Sequence, residues 1–270
     1  MTVRRRLRSM PHASAISFQG KLINTAFHPA KAAIGWTNPA KPVLQREAKD
    51  HKVCCGIIRR AKAMSKRTED LFQRVYEAKT SQEQAAAYAE WADSYDQAMA
   101  ESGYVSPPQL AALLAEHCTP GSSAVLDVGC GTGLSGIALK DAGFAEIDGA
   151  DISDAMLAEA AKKNLYRKLT VVDLMKGIPE PDDTYEGAFS TGTFTLGHVG
   201  PEAIPEVIRV LKPGGVFCLT VSDQSWIDQG YEEKLPALGD GLFEVAVNEM
   251  HDHVVSHNMQ AHFLALKKLG

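Results

Sequence analysis

Residues 124–133 read Ala-Val-Leu-Asp-Val-Gly-Cys-Gly-Thr-Gly, and this stretch constrains the fold more than any other in the chain. A short apolar run that ends in glycines is a buried strand. Gly129, Gly131 and Gly133 let the backbone turn sharply and let a ligand approach bare peptide. From Thr132 to Ala142 the sequence reads as a helix. Strand, glycine loop and helix in that order open a layered α/β domain whose ligands sit at the carboxyl end of the sheet.

The pattern continues on both sides. Residues 67–79 and 81–99 read as helices, the second opened by a capping box of Thr80 and Glu83. Tyr88, Trp91 and Tyr95 then share one helical face. Ser106-Pro107 starts a helix that runs to about Cys118 and is closed by Pro120-Gly121. Strands follow at 145–150, 169–172, 185–190 and 216–221, with helices at 153–164 and 201–211. Two β-rich runs, 243–249 and 259–266, finish the chain, and their short connection suits an antiparallel pair. The expectation is a Rossmann-like, seven-stranded, mainly parallel sheet with helices on both faces, an antiparallel last strand and a helical N-terminal lid. Its domains would be a basic extension over 1–63, the lid over 64–118 and the ligand-binding domain over 119–270.

Composition narrows the classes. With 270 residues, 45% of them hydrophobic and 23% charged, the chain suits one large α/β domain or two small ones. No apolar run reaches the roughly 18–20 residues of a membrane span. The five cysteines are scattered without paired spacing, which argues against a disulfide framework or a zinc site and for a reducing compartment. Among the histidines, His251, His253, His257 and His262 lack ligand-like spacing, so no metal is expected.

The net charge of −5 hides an asymmetry. Residues 1–63 hold 13 Lys and Arg against 2 Asp and Glu, leaving 15 against 31 for the remainder. An Arg-rich, acid-free start with prolines at 11, 29, 39 and 42 has three readings. It is a disordered extension or mis-assigned start ahead of Met64, a mitochondrial transit peptide, or a basic arm for nucleic acid. The first is favoured, which makes the location cytoplasmic, or mitochondrial if the second holds. The acidic remainder lacks a basic face for nucleic acid.

The loop also selects its ligand. Dinucleotide binding wants a glycine at position 134, where this chain has Leu134. Asp127, just before the loop, would repel a pyrophosphate but suits a positive amino group. A cationic, phosphate-free nucleoside such as S-adenosylmethionine (SAM) fits better than NAD.

The run Val125–Gly133 resembles the first motif of class I SAM-dependent methyltransferases. Asp151 in Gly149–Met156, Asp173 in Val171–Leu174, Phe189-Ser190-Thr191 and Leu211–Gly215 match later motifs in order and spacing. Tyr88–Asp96 is similar to a segment that precedes many small-molecule methyltransferase domains of the methyltransferase-11 type. Gly197-His-Val-Gly200 resembles the methyltransferase-like proteins of the Williams–Beuren region type. The resemblance covers about 85–270.

It implies roles residue by residue. Asp151 would accept the two ribose hydroxyls. Asp173 would sit beside the adenine amino group, with Ile152 and Leu174 sandwiching the base and Met156 near it. Gly129, Cys130, Gly131, Thr132 and Gly133 would line the methionine part by backbone, and Asp127 would hold the amino group. Tyr95 would cap the pocket and Ser190 would line the transfer site. His198, after the fourth strand, is the candidate general base; Thr193 and Thr195 could instead hydrogen-bond the acceptor. The implied function is methyl transfer from SAM to a small molecule. A protein methyltransferase and a SAM-binding protein without transfer activity remain open beside it.

Overall fold

The computed structural model describes residues 70–71, 73–75, 78, 80–195 and 199–270. The basic extension and most of the helix expected at 67–79 therefore lie outside the described residues, as does His198.

The helix α1 (Ser81–Ser102) starts where the capping box places it, with the Thr80 hydroxyl accepting from the Glu83 N–H at 3.2 Å. It ends on Gly103, which takes the left-handed conformation at φ +70°. Then follow α2 (Ser106–His117), β1 (Ala124–Val128), α3 (Leu134–Asp141), β2 (Glu146–Asp151), α4 (Asp154–Lys162), β3 (Lys168–Val171) and β4 (Tyr185–Phe194). The second half has α5 (Ile204–Arg209), β5 (Leu211–Ser222), α6 (Asp223–Asp228), α7 (Tyr231–Gly239), β6 (Phe243–Val254) and β7 (Met259–Lys268).

The seven strands form one sheet in the order β3-β2-β1-β4-β5-β7-β6. The first five are parallel, and β7 runs antiparallel between β5 and the edge strand β6. The chain winds outward from β1 to β3, then restarts at β4 on the other side. The carboxyl ends of β1 and β4 thus form a topological switch point, where an open α/β sheet leaves a crevice.

Alternation along β1 supplies both faces of the sheet. Val125 packs with Leu110, Leu114, Phe144 and Phe189, while Leu126 and Val128 join Ile204, Ile208, Phe217 and Leu219. A third cluster lies along α1: Trp91, Ala98 and Met99 with Leu71 and Val75, packed against Leu134.

Three details differ from expectation. The segment 222–242, for which no element is expected from sequence, folds into α6 and α7; Ser222 caps α6 by accepting from the Ser225 N–H at 3.3 Å. The helix expected at 201–211 ends at Arg209, and Leu211 already pairs with Tyr185. β4 runs on past Ser190 to Phe194 through a register shift.

Candidate functional site

A cleft opens at the switch point, about 770 Å³ counted out to its mouth. Its floor is the β1 loop and the ends of β2 and β4, and its roof is α1. Of the residues singled out from sequence, Tyr95, Gly129, Gly131, Asp151, Ile152, Met156, Asp173 and Leu174 line it.

Asp151 ends β2 and is held on both oxygens. Oδ2 accepts from the Gly131 N–H at 2.8 Å and Oδ1 from the Ser153 N–H at 2.8 Å. A carboxylate has about four acceptor sites, so these two bonds leave acceptor capacity for a ligand hydroxyl. Burial raises its pKa, and the N–H groups of Ser153, Gly131 and Ile152 oppose that shift by favouring the charged form. Ser153 also caps α4, accepting from the Met156 N–H at 3.3 Å, and so fixes Met156 under the cleft.

The glycine loop divides its work. Gly129 sits at φ +71°, and a methyl there would lie 2.0 Å from Thr193 Oγ1. Gly131 sits at φ +52°, and a methyl there would meet nothing within 4 Å. The first glycine is required by packing against β4; the second leaves open space on the ligand side. Asp173 caps a short 3-10 turn, accepting from the Met175 N–H at 3.1 Å, and pairs with Lys176 at 2.9 Å. Ala150, Ile152, Met156, Val172 and Leu174 form an apolar wall of the cleft.

Five residues fall elsewhere. Asp127 is fully buried beneath the loop and accepts on Oδ2 from the Ser135 hydroxyl at 2.6 Å and the Tyr166 hydroxyl at 2.7 Å. Burial pushes its carboxyl up to about 7, so it supports the loop from below and does not line the cleft. The Cys130 side chain packs under the loop beside Gly149. Thr132 is buried and donates its hydroxyl to Asp96 Oδ1 at 2.5 Å. Gly133 packs against Tyr166 and Ala160. Ser190 is buried and donates to the Val128 carbonyl at 2.7 Å, so it ties β4 to β1 and does not line the cleft. The next residues, Thr191, Gly192 and Thr193, line the cleft instead.

Gln84 and Tyr88 also line it and were not assigned from sequence. They stand four residues apart on α1, seven before Tyr95 for the latter, so a single helix face carries all three. That spacing equally describes a core face, which hides the role. Val199 lines the cleft too, on the one described side of His198.

A glycine loop after β1, an acid at the end of β2 and a crevice at the switch point define a nucleoside-binding α/β domain. The methyltransferase-domain family matches residues 125–215. Methyltransferase-like protein 27 of Homo sapiens is 37% identical over 166 residues, covering 60% of this chain and 66% of that protein. Demethylmenaquinone methyltransferase of Symbiobacterium thermophilum is 36% identical over 118 residues, covering 39% of this chain and 45% of that protein. The chain thus spans less than two thirds of these relatives' lengths. The solved structure of the [4+2]-cyclase SpnF shares the fold, with a TM-score of 0.57 and 22% identity over 72% of this chain and 98% of that one. Residues 125–215 thus carry a methyltransferase domain, and with the relatives named this supports a class I SAM-dependent methyltransferase with SAM as its cofactor.

Proposed function

We propose that this chain transfers the methyl group of SAM to a small-molecule acceptor, with residues 64–118 as the lid and 119–270 as the SAM-binding domain. The observation that carries this reading is Asp151, oriented by two backbone N–H groups at the end of β2, above a glycine backbone with free space at Gly131.

The cofactor supplies a methyl group already activated by a positive sulfur. The chain's task is therefore alignment, and holding two reactants in line is worth roughly 7–11 kcal/mol of a barrier. Asp151 holds the ribose, and Ile152 and Leu174 flank the base with Met156 beside it. Asp173 offers its remaining acceptor capacity to the amino edge. Gly129 and Gly131 admit the methionine part against the backbone, and Tyr95 closes over it from α1. Thr191 to Thr193, at the end of β4, border the side from which an acceptor would come. A roof made of a helix supports a small acceptor over a macromolecular one, and the acidic balance of 64–270 agrees.

The test is incubation of the full chain with methyl-tritiated SAM and a cell extract separated by size. Label in a low-molecular-weight product resolved from SAM itself supports the reading. Label confined to protein makes it a protein methyltransferase. No label, with the cofactor product bound, makes it a binder without transfer activity.

A further inference from the structure

A second cavity lies against the cleft, about 420 Å³ counted out to its mouth. Tyr88, Tyr95 and Gly192 line both, so the two chambers share a wall. The rest of the second chamber comes from five separate parts of the fold, two of them Val75 ahead of α1 and Thr195 after β4. Trp91 and Met99 descend from α1, Tyr104 follows α1, and His253 and Val254 end β6.

Its walls are mostly aromatic and aliphatic, with Thr195 and His253 adding polar side chains. The rings of Tyr88, Trp91 and Tyr95 pack at centroid distances of 4.9 to 6.4 Å and make an aromatic wall. Among the described residues, no Lys, Arg, Asp or Glu lines the chamber. His253 is buried, and its Nδ1 meets the Ser106 hydroxyl at 2.5 Å. That contact fixes the ring and leaves Nε2 as its one remaining polar atom. Tyr104 meets the His253 ring edge-on at 5.2 Å between centroids, and the Tyr104 hydroxyl lies 3.1 Å from where a methyl on Gly192 would sit. A side chain at position 192 would therefore crowd Tyr104 at the wall the two chambers share.

We infer that this chamber is the acceptor subsite, and that it takes a flat, uncharged, aromatic or unsaturated molecule whose single polar group is held by His253 Nε2. The inference rests on the methyltransferase reading above and adds the substrate class. Aromatic walls reward a flat apolar body. A charged body would lose its hydration without a partner charge. The chamber already works against positive charge, since burial lowers His253 to about 4. His253 is neutral at physiological pH and can hydrogen-bond a hydroxyl without bringing in a charge.

The experiment uses the full chain with S-adenosylhomocysteine (SAH) present and 2-naphthol as probe, read by quenching of tryptophan fluorescence. Naphthalene-2-sulfonate and naphthyl-trimethylammonium serve as charged counterparts. Saturable binding of 2-naphthol is expected, at least tenfold tighter than either charged analogue. Val254→Phe fills the chamber and should abolish naphthol binding while calorimetry still shows SAH bound. His253→Asn should weaken 2-naphthol several-fold and leave unsubstituted naphthalene unchanged. The inference is overturned if SAH binds but 2-naphthol does not, if V254F leaves its binding intact, or if a charged analogue binds as well. Failure of SAH to bind the wild-type chain would remove the methyltransferase reading itself, and the inference with it.

Discussion

Asp96 on α1 accepts the hydroxyl of Thr132 in the glycine loop, Oγ1 to Oδ1 at 2.5 Å. Its other oxygen pairs with Lys163 at 2.8 Å, and Lys163 in turn donates to the Thr132 carbonyl at 2.5 Å. One carboxylate therefore joins the roof of the cleft, the loop that forms its floor and the end of α4. Lid position and loop conformation are coupled through a single side chain.

Asp96→Ala should loosen that coupling. Asp96 and Lys163 are partly exposed, so their ion pair alone is worth about 0–1 kcal/mol, and the hydroxyl bond adds about 1. Backbone amides of α1 should exchange faster with deuterium, and SAH affinity should fall by about tenfold, or about 1.4 kcal/mol. Unchanged exchange in α1 would mean that its own apolar cluster holds the lid without Asp96.

The two loop glycines should fail differently. Gly129→Ala must displace Thr193, whose Oγ1 lies 2.0 Å from the added methyl. With the cost of a left-handed alanine, destabilisation of about 2–4 kcal/mol is expected. Gly131→Ala meets no atom within 4 Å, so it should cost only about 1 kcal/mol of backbone strain. Its methyl projects toward the ligand and should cut SAH affinity about tenfold or more. Urea unfolding and calorimetry on each variant separate the two effects.

Asp127 predicts a pH dependence. Its folded carboxyl stands at about 7, above the value of about 3.9 in an unfolded chain. The folded state then binds more protons in that window, so stability falls as pH rises. The contribution is complete below about pH 4 and is lost as pH climbs through 7, at up to about 1.4 kcal/mol per unit. Among the described residues Asp127 Oδ1 is buried without a partner, which leaves only the two hydroxyls on Oδ2 to support the charge. Asp127→Asn keeps an acceptor for both hydroxyls and does not titrate. Unfolding of both proteins from about pH 4 to about pH 8 should show wild type losing ground to D127N as pH rises. A constant difference would show that Asp127 is ionised throughout.

The cleft residues at the ends of β1 and β2 were legible because their signal is local. An apolar run, glycines in GxGxG spacing and an acid closing the next strand all lie within 28 residues, 124 to 151. The cleft residues at the end of β4 were not. Whether Ser190 or Thr191 faces the cleft depends on strand parity, and one residue's shift exchanges the faces. β4 also continues to Phe194 only through an irregular register, which no local pattern announces. His253 sits among polar residues in an edge strand, and its burial comes from α2 and Tyr104, which are distant in sequence. α6 and α7 are short and polar, the second with Pro236 inside it, so their periodicity was too brief to read.

The central claim is that Asp151 and the glycine loop hold SAM rather than a dinucleotide. The direct measurement is calorimetric titration of SAH and of NAD into the full chain and into Asp151→Ala, with thermal unfolding as the check on folding. SAH should bind the wild type in the micromolar range and NAD should give no heat. The variant should lose about 100-fold in SAH affinity, the equivalent of two charge-assisted hydrogen bonds at about 1.5 kcal/mol each. Binding of NAD, or SAH binding untouched in a folded D151A protein, would contradict the account.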